Sequence, residues 1–318
     1  MAVPFPSDML SRIETYEAPP SGFDPHNAAE HLLRRHGFPR RPDPEKEPQL
    51  ARLWQRAFAR APGLQMIKAE LAIDPIMSDR HRLQNRDPIG DLAPDFSPSG
   101  WGGVIVPTAS LGFSPYEPAN TVYAEWTVPT IIPLAGDPPF PIPLTVGFWV
   151  GLDGSDPSSY ELLQAGTAAT ITGDSVYYWP WTEWYTSKYK DPAVQVTNFE
   201  IQPGDLVSFL VCSRQPNQGF VSMMNYRTQQ ATSVGIPARP GITSVGARAE
   251  WIVEGISIDL PFFTPAVFTN ITAGTQNHSF NLSPDGSITN IKGSGGNALT
   301  MASIAGPTDS VVLWTGLW

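Results

Sequence analysis

The stretches YELLQAG (160–166) and RAEWIVEG (248–255) each carry an apolar, alternating run that ends on an amide or carboxylate, Gln164 in the first and Glu254 in the second. A strand that needed only burial has no use for such a group, because a polar side chain on a covered face costs free energy unless it finds a partner. As two strands of one sheet, the segments can set Gln164 and Glu254 across a cleft. A carboxylate with an amide partner is chemically sufficient for hydrolysis: one takes and returns a proton, and the other steadies developing charge.

Neighbouring runs carry the same strand signature. NTVYAEWTVP (120–129), LTVGFWVGLD (144–153), SVYYWPWTEWY (175–185), GDLVSFLVC (204–212), GFVSMMNY (219–226), PAVFTNIT (265–272) and SVVLWTGLW (310–318) are rich in β-branched and aromatic residues and bounded by Pro, Gly, Asp and Asn. About a dozen short strands with turn signals between them predict a mainly β fold, a curved antiparallel two-sheet sandwich of the lectin-like kind, over residues 99–318.

Alternation sorts the side chains of these strands into two faces. Val146, Phe148, Val150 and Leu152 fall on one face, Trp149, Gly151 and Asp153 on the other. Gln164 goes with Leu162 and Gly166. Trp179, Trp181, Glu183 and Tyr185 share a face opposite Tyr178 and Trp184, and Glu250, Ile252 and Glu254 lie opposite Trp251 and Val253. One face thereby collects Trp149, Asp153, Gln164, Trp181, Glu183, Tyr185 and Glu254, the mixture of aromatic and hydrogen-bonding groups that lines a substrate groove.

Residues 1–98 read differently, as helical pieces separated by proline and followed by an irregular linker over 78–100. Asn27 with Glu30 forms a capping box for a helix over 28–36 that Gly37 stops. Asp43 as N-cap and Pro44 in the first turn open a second helix. Its apolar stripe of Leu50, Leu53, Trp54, Ala57 and Phe58 must dock on something.

Composition removes several function classes. The net charge is −10 and only 16% of residues are charged, so a nucleic-acid role, which needs concentrated Lys and Arg, is disfavoured. Beyond Trp101 the basic residues are Lys188, Lys190, Arg214, Arg227, Arg239, Arg248 and Lys292, which leaves the acidity to the sandwich. No apolar run reaches the roughly 18 residues of a membrane span, and the N-terminus lacks the pattern of a classical signal peptide, so the expectation is a soluble monomer of unassigned compartment. A single cysteine, Cys212, rules out an intramolecular disulfide and reads as a small buried hydrophobe. His278 is the one histidine within the sandwich and reads as a surface residue, which leaves carboxylate chemistry without a metal or other cofactor.

At these residues the sequence resembles the glutamic peptidases, or eqolisins. SGWGG (99–103), WVGLDG (149–154), LLQAG (162–166), WTEWY (181–185), AEWIVE (249–254) and FFTPAVFTN (262–270) are similar to that family's segments in the same order. The resemblance implies an acid-active endopeptidase whose concave sheet binds an extended protein or peptide substrate. It implies that Glu254 is the general base and that Gln164 positions the water and donates to the oxyanion. Trp149, Asp153, Trp181, Glu183 and Tyr185 would line the cleft and orient the dyad, with Trp101, Gly102 and Gly103 at its edge. The family is typically secreted. Two rival readings are a glycoside hydrolase pairing Glu183 with Glu254 and a non-catalytic peptide- or glycan-binding sandwich. Residues 1–98 occupy the position of a pro-region. Their Arg-bearing helices are expected to cover the groove and leave on acidification, with cleavage before Trp101; a permanent cap is the alternative.

Overall fold

Alternating β-branched and aromatic residues bury one side of each strand, and two such sheets close over a shared core. The computed structural model describes residues 8–74, 100–133, 143–155, 161–186, 188–189, 191–256, 260–282, 286–293 and 296–315. Of the expected linker over 78–100 only Gly100, and of the proline-rich stretch 133–143 only Pro133 and Pro143, fall within the described residues.

One sheet, called here the site sheet, orders its strands Ser287–Thr289, Trp101–Pro107, Arg248–Gly255, Leu144–Asp153, Leu162–Thr172, Ser175–Tyr185, Val194–Val196 and Leu71–Ile73, every neighbour antiparallel. The second sheet runs Glu14–Thr15, Gln230–Pro237, Gln218–Asn225, Leu206–Gln215, Thr121–Thr127, Ala266–Gly274, Asp309–Trp314 and Thr300–Gly306. The two-sheet sandwich expected from the strand pattern is therefore the fold. No helix among the described residues is long and apolar enough to cross a membrane.

The core between the sheets holds the residues that alternation assigned to it. Val146, Phe148, Val150, Leu152, Trp184, Trp251 and Val253 pack there against Val122, Trp126, Phe209, Val211 and Phe268 of the facing sheet. Polar atoms in this layer are matched across the gap: Trp251 Nε1 donates to the Tyr123 carbonyl at 3.1 Å, and Trp126 Nε1 to Thr167 Oγ1 at 3.2 Å. Cys212 is buried and free, as its strand context predicted.

The N-terminal segment differs from expectation in its caps and in where it docks. The first of the two expected helices, Glu30–Arg35, starts after Ala29 without a side-chain cap, because Asn27 Nδ2 instead donates to Asp24 Oδ2. The second, Pro48–Ala57, begins at Pro48; Asp43 Oδ1 is occupied by the backbone N–H groups of Glu45 and Lys46 in a preceding turn. Its stripe of Leu53, Trp54, Ala57 and Phe58 is buried as predicted, but against Tyr123, Leu210, Met224 and Ala231 on the outer side of the second sheet. The helices thus lie on the side of the sandwich away from the site sheet.

Trp54 is 2% exposed, packs at a tilt against Phe58 with ring centroids 4.9 Å apart, and donates its Nε1 to the Pro39 carbonyl. Trp54→Ala is expected to cost about 3–5 kcal/mol of stability. Urea unfolding followed by fluorescence measures it; a loss below about 1 kcal/mol would mean that this helix is loosely held cover.

Candidate active site

Strand register decides which side chains meet. Glu183 pairs with Gln164, Gln164 with Gly151, and Gly151 with Glu250, so these four form one row across the sheet. The next row contains Trp181, Gly166, Trp149, Ile252 and Gly103, and the one after it Trp179, Ala168, Gly147, Glu254 and Trp101. Gln164 and Glu254 therefore face the same side on a diagonal, two strands apart and two rows displaced, with the Trp149 indole between their rows.

Each member of the pair is held by a neighbour. Trp149 Nε1 donates to Glu254 Oε2 at 3.0 Å, and Gln164 Nε2 donates to Glu183 Oε2 at 2.7 Å. Trp101 packs edge-on against Trp149 with centroids 4.9 Å apart, and Trp179, Trp181, Ile252 and the half-buried Tyr185 complete one aromatic cluster around them. Gln164 and Trp149 are fully buried, and Glu183 and Glu254 nearly so. Gln164 Oε1 has no hydrogen-bond partner. A buried amide oxygen left with free lone pairs is an acceptor prepared for an incoming donor.

Glycines set the spacing. A Cβ at Gly166 would lie 2.0 Å from the Phe148 carbonyl oxygen, so only glycine lets the Trp149 and Trp181 strands flank it this closely. Gly103 has φ 151°, and a Cβ there would meet the Trp251 carbonyl oxygen at 2.1 Å. Gly103 is thus a close-approach position, and Gly102 lies on the opposite face, toward Thr300.

The remaining predicted residue, Asp153, acts on the backbone. Its carboxylate accepts hydrogen bonds from Ser244 Oγ and from the N–H groups of Val245, Gly246 and Ala247 at 2.7–3.1 Å, fixing the segment that leads into the Glu254 strand. Burial nonetheless pushes the Asp153 carboxyl up, against the opposing effect of those donors. Glu250, given only a face by the sequence, is fully buried; Ser155 Oγ donates to its Oε1 while Oε2 has no partner. Burial raises the Glu250 carboxyl well above the ordinary glutamate range, and the Asp153 charge adds to the effect. Glu161 shifts upward for the same two reasons.

Two groups had no sequence signal. Ser155 follows the WVGLDG turn, and Asp74 arrives from the N-terminal segment to accept the Trp179 Nε1 hydrogen bond. The glycosidase pairing of Glu183 with Glu254 is not what the register makes. Three strand spacings, about 14 Å, separate their strands, and the Glu183 carboxylate already holds Gln164. His278 is partly exposed, stacks on Phe113 with centroids 4.4 Å apart and faces Glu117. Among the described residues no group of three or more His, Cys, Asp or Glu is placed to hold a metal ion.

Residues 99–314 match the model of the peptidase A4 family. Among solved structures, scytalido-glutamic peptidase with a transition state analog inhibitor is similar at TM-score 0.55 and 22% identity, over 68% of this chain and 98% of that one. SCP-B, a member of the eqolisin family of peptidases in complex with the tripeptide Ala-Ile-His, is similar at TM-score 0.52 and 22% identity over the same shares, 68% and 98%. At this identity the structural likeness establishes the shared sandwich; the family match extends over two thirds of the sequence. No curated protein sequence matches the chain.

The buried acids give the fold a pH signature. Glu250 and Asp153 have raised folded-state values, so below the ordinary carboxylate range both folded and unfolded chains hold these protons. As pH rises, the unfolded chain releases them first, and stability is lost as pH climbs toward the folded values. Glu117, held down to about 2 by Asn277, Thr275 and His278, acts oppositely and loses its contribution as pH falls below the ordinary glutamate range. The unfolding midpoint is therefore expected to peak in mildly acidic solution and decline toward neutral pH. Glu250→Gln should flatten that decline in a pH series of thermal melts; an unchanged slope would show that Glu250 is ionised in the fold.

Proposed function

We propose that this chain, which belongs to the peptidase A4 family and is a peptide hydrolase, cleaves peptide bonds in acid with the dyad Gln164 and Glu254 and one activated water. The observation that carries this reading is the pair of anchored groups on one buried face. Glu254 is oriented by the Trp149 indole, and Gln164 is oriented by Glu183 with its Oε1 left as an unpaired acceptor.

The chemistry follows from these positions. A water between the two side chains donates one hydrogen bond to Gln164 Oε1 and gives its other proton to Glu254 as its oxygen bonds to the substrate carbonyl carbon. The carbonyl becomes an oxyanion, and the second N–H of the Gln164 amide, not spent on Glu183, donates to it. Collapse of the tetrahedral intermediate breaks the C–N bond while Glu254 returns its proton to the leaving nitrogen. The products are a carboxylic acid and an amine, with no covalent intermediate. A donor held where charge develops is worth about 10²–10³ in rate. Trp101, Trp181 and Tyr185 pack around the dyad and shape the site that an extended peptide would enter.

Action in acid is supported by the scaffold. The raised carboxyls of Glu250 and Asp153 favour the fold most where they are protonated, a contribution that is present in acid and fades as pH rises.

Casein digestion at acid pH by wild type, Glu254→Gln and Gln164→Ala tests the dyad. Loss of nearly all activity is expected for Glu254→Gln, and a fall of about 10²–10³ in kcat for Gln164→Ala. Undiminished proteolysis by either variant, with circular dichroism unchanged, would remove the assignment.

A further inference from the structure

Residues 8–74 lie outside the 99–314 stretch matched by the family model, yet they are built into both sheets. Glu14–Thr15 and Gln65–Met66 pair with the Gln230–Pro237 strand, and Leu71–Ile73 pairs with Val194–Val196 at the end of the site sheet. A sheet edge left open presents a row of unpaired N–H and C=O groups; these segments satisfy them on both sheets. Met9, Ile13 and Ala69 sit in the core between the sheets, and the Trp54 stripe covers Tyr123, Leu210 and Met224 outside it.

Directional contacts add to this. Arg12 Nη2 donates to the Pro237 and Ala238 carbonyls, Arg56 Nη1 to Thr272 Oγ1, and Asn198 Nδ2 to the Lys68 carbonyl, while Gln49 Oε1 accepts from the Ser279 N–H. An ion pair between Asp8 and Arg239 crosses the boundary as well. Protonating Asp8 would weaken that pair and leave the backbone pairing and apolar contacts untouched.

The same segment reaches the groove. The Asp74 N–H donates to the Ala193 carbonyl at 2.9 Å, its carboxylate accepts from Trp179 Nε1, and Asp74 is 2% exposed. Trp179 stands in the row of Glu254, three strands along. We propose that residues 8–74 are a permanent clasp of this peptidase, remaining bound after any cut between Asp74 and Gly100, and that Asp74 on the clasp is a positioning residue for Trp179 on the groove floor. The segment is then a retained second chain of the cleaved enzyme, in place of a pro-region that departs.

Two measurements decide it. A recognition site for a sequence-specific protease, placed between residues 84 and 91 of the full chain, is cut under native conditions, and the product is run on size exclusion at pH 4 and pH 7 with native mass spectrometry. Both fragments are expected in one complex at both pH values. Separation of the N-terminal fragment at either pH would overturn the clasp. For the groove contact, Asp74→Ala is expected to raise KM for a peptide substrate about tenfold with little change in kcat, and Asp74→Asn, which keeps an acceptor oxygen, to recover most of it. Wild-type KM in Asp74→Ala, or equal effects of the two variants, would overturn the positioning role. The KM readout rests on this face being the peptide groove; the co-elution readout does not, so failure of the dyad assignment leaves the clasp decided on its own.

Discussion

The structure depends on burying polar groups on both sides of the site sheet, where each buried carboxylate or amide without a partner costs on the order of 1–3 kcal/mol or more. The face that also bears Trp149 and Trp181 carries Gln164, Glu183, Glu250 and Glu254, all nearly inaccessible. Such a face is stable only if its polar atoms answer one another. Trp149 serves Glu254, Glu183 serves Gln164, and Ser155 serves Glu250. Two oxygens on this face depart from the pattern, Gln164 Oε1 and Glu250 Oε2. The first lies on an amide anchored by Glu183; the second belongs to a group whose neutral form burial favours, which lowers the cost of leaving it alone.

Much of this was legible in the sequence because strand periodicity has no free parameters. Once LTVGFWVGLD, ELLQAG, SVYYWPWTEWY and RAEWIVEG are strands, the face of each side chain follows, and the apolar assignments agree with the observed packing, Val146, Phe148, Val150, Leu152, Trp184, Trp251 and Val253 in one cluster and Trp149, Trp179, Trp181 and Ile252 in another. Register is not so fixed. Nothing in the sequence says that Glu250, rather than Glu254, shares a row with Gln164, because hydrogen-bond pairing between strands ninety residues apart is set by turns and bulges elsewhere. Ser155 and Asp74 escaped for a related reason: their roles depend on where a loop end and a distant segment arrive. The helix caps failed locally, since Asn27 and Asp43 found nearer partners in turns that compete with capping.

The N-terminal segment shows how a correct local reading can still give the wrong docking. The Leu53, Trp54, Ala57 and Phe58 stripe required an apolar surface, and two were available in principle: the aromatic face of the site sheet and the outer side of the second sheet. The structure chooses the latter, where Tyr123, Leu210, Met224 and Ala231 offer a broad face and Tyr226 takes the Arg60 guanidinium over its ring at 4.6 Å. The uneven charge had suggested that the Arg-bearing helices dock on the acidic sandwich over its expected cleft. Apolar area outweighs that attraction, because exposed charges at long range are screened while buried methylene and ring surface is not.

Two glutamates four residues apart on one strand, Glu250 and Glu254, face the same side and yet cannot be interchanged. Glu250 sits one row from Asp153, against a hydroxyl, in a place where burial and a like charge favour its neutral form. Glu254 sits two rows farther on, against an indole N–H and near the Trp101 edge of the aromatic cluster. Swapping their environments would require moving Trp149, and Trp149 is held in its row by Gly166 on one side, where a Cβ would collide with the Phe148 carbonyl, and by Trp101 above. The different surroundings of the two acids are thus set by glycine spacing and indole placement, features of packing in the row that lies between the two carboxylates.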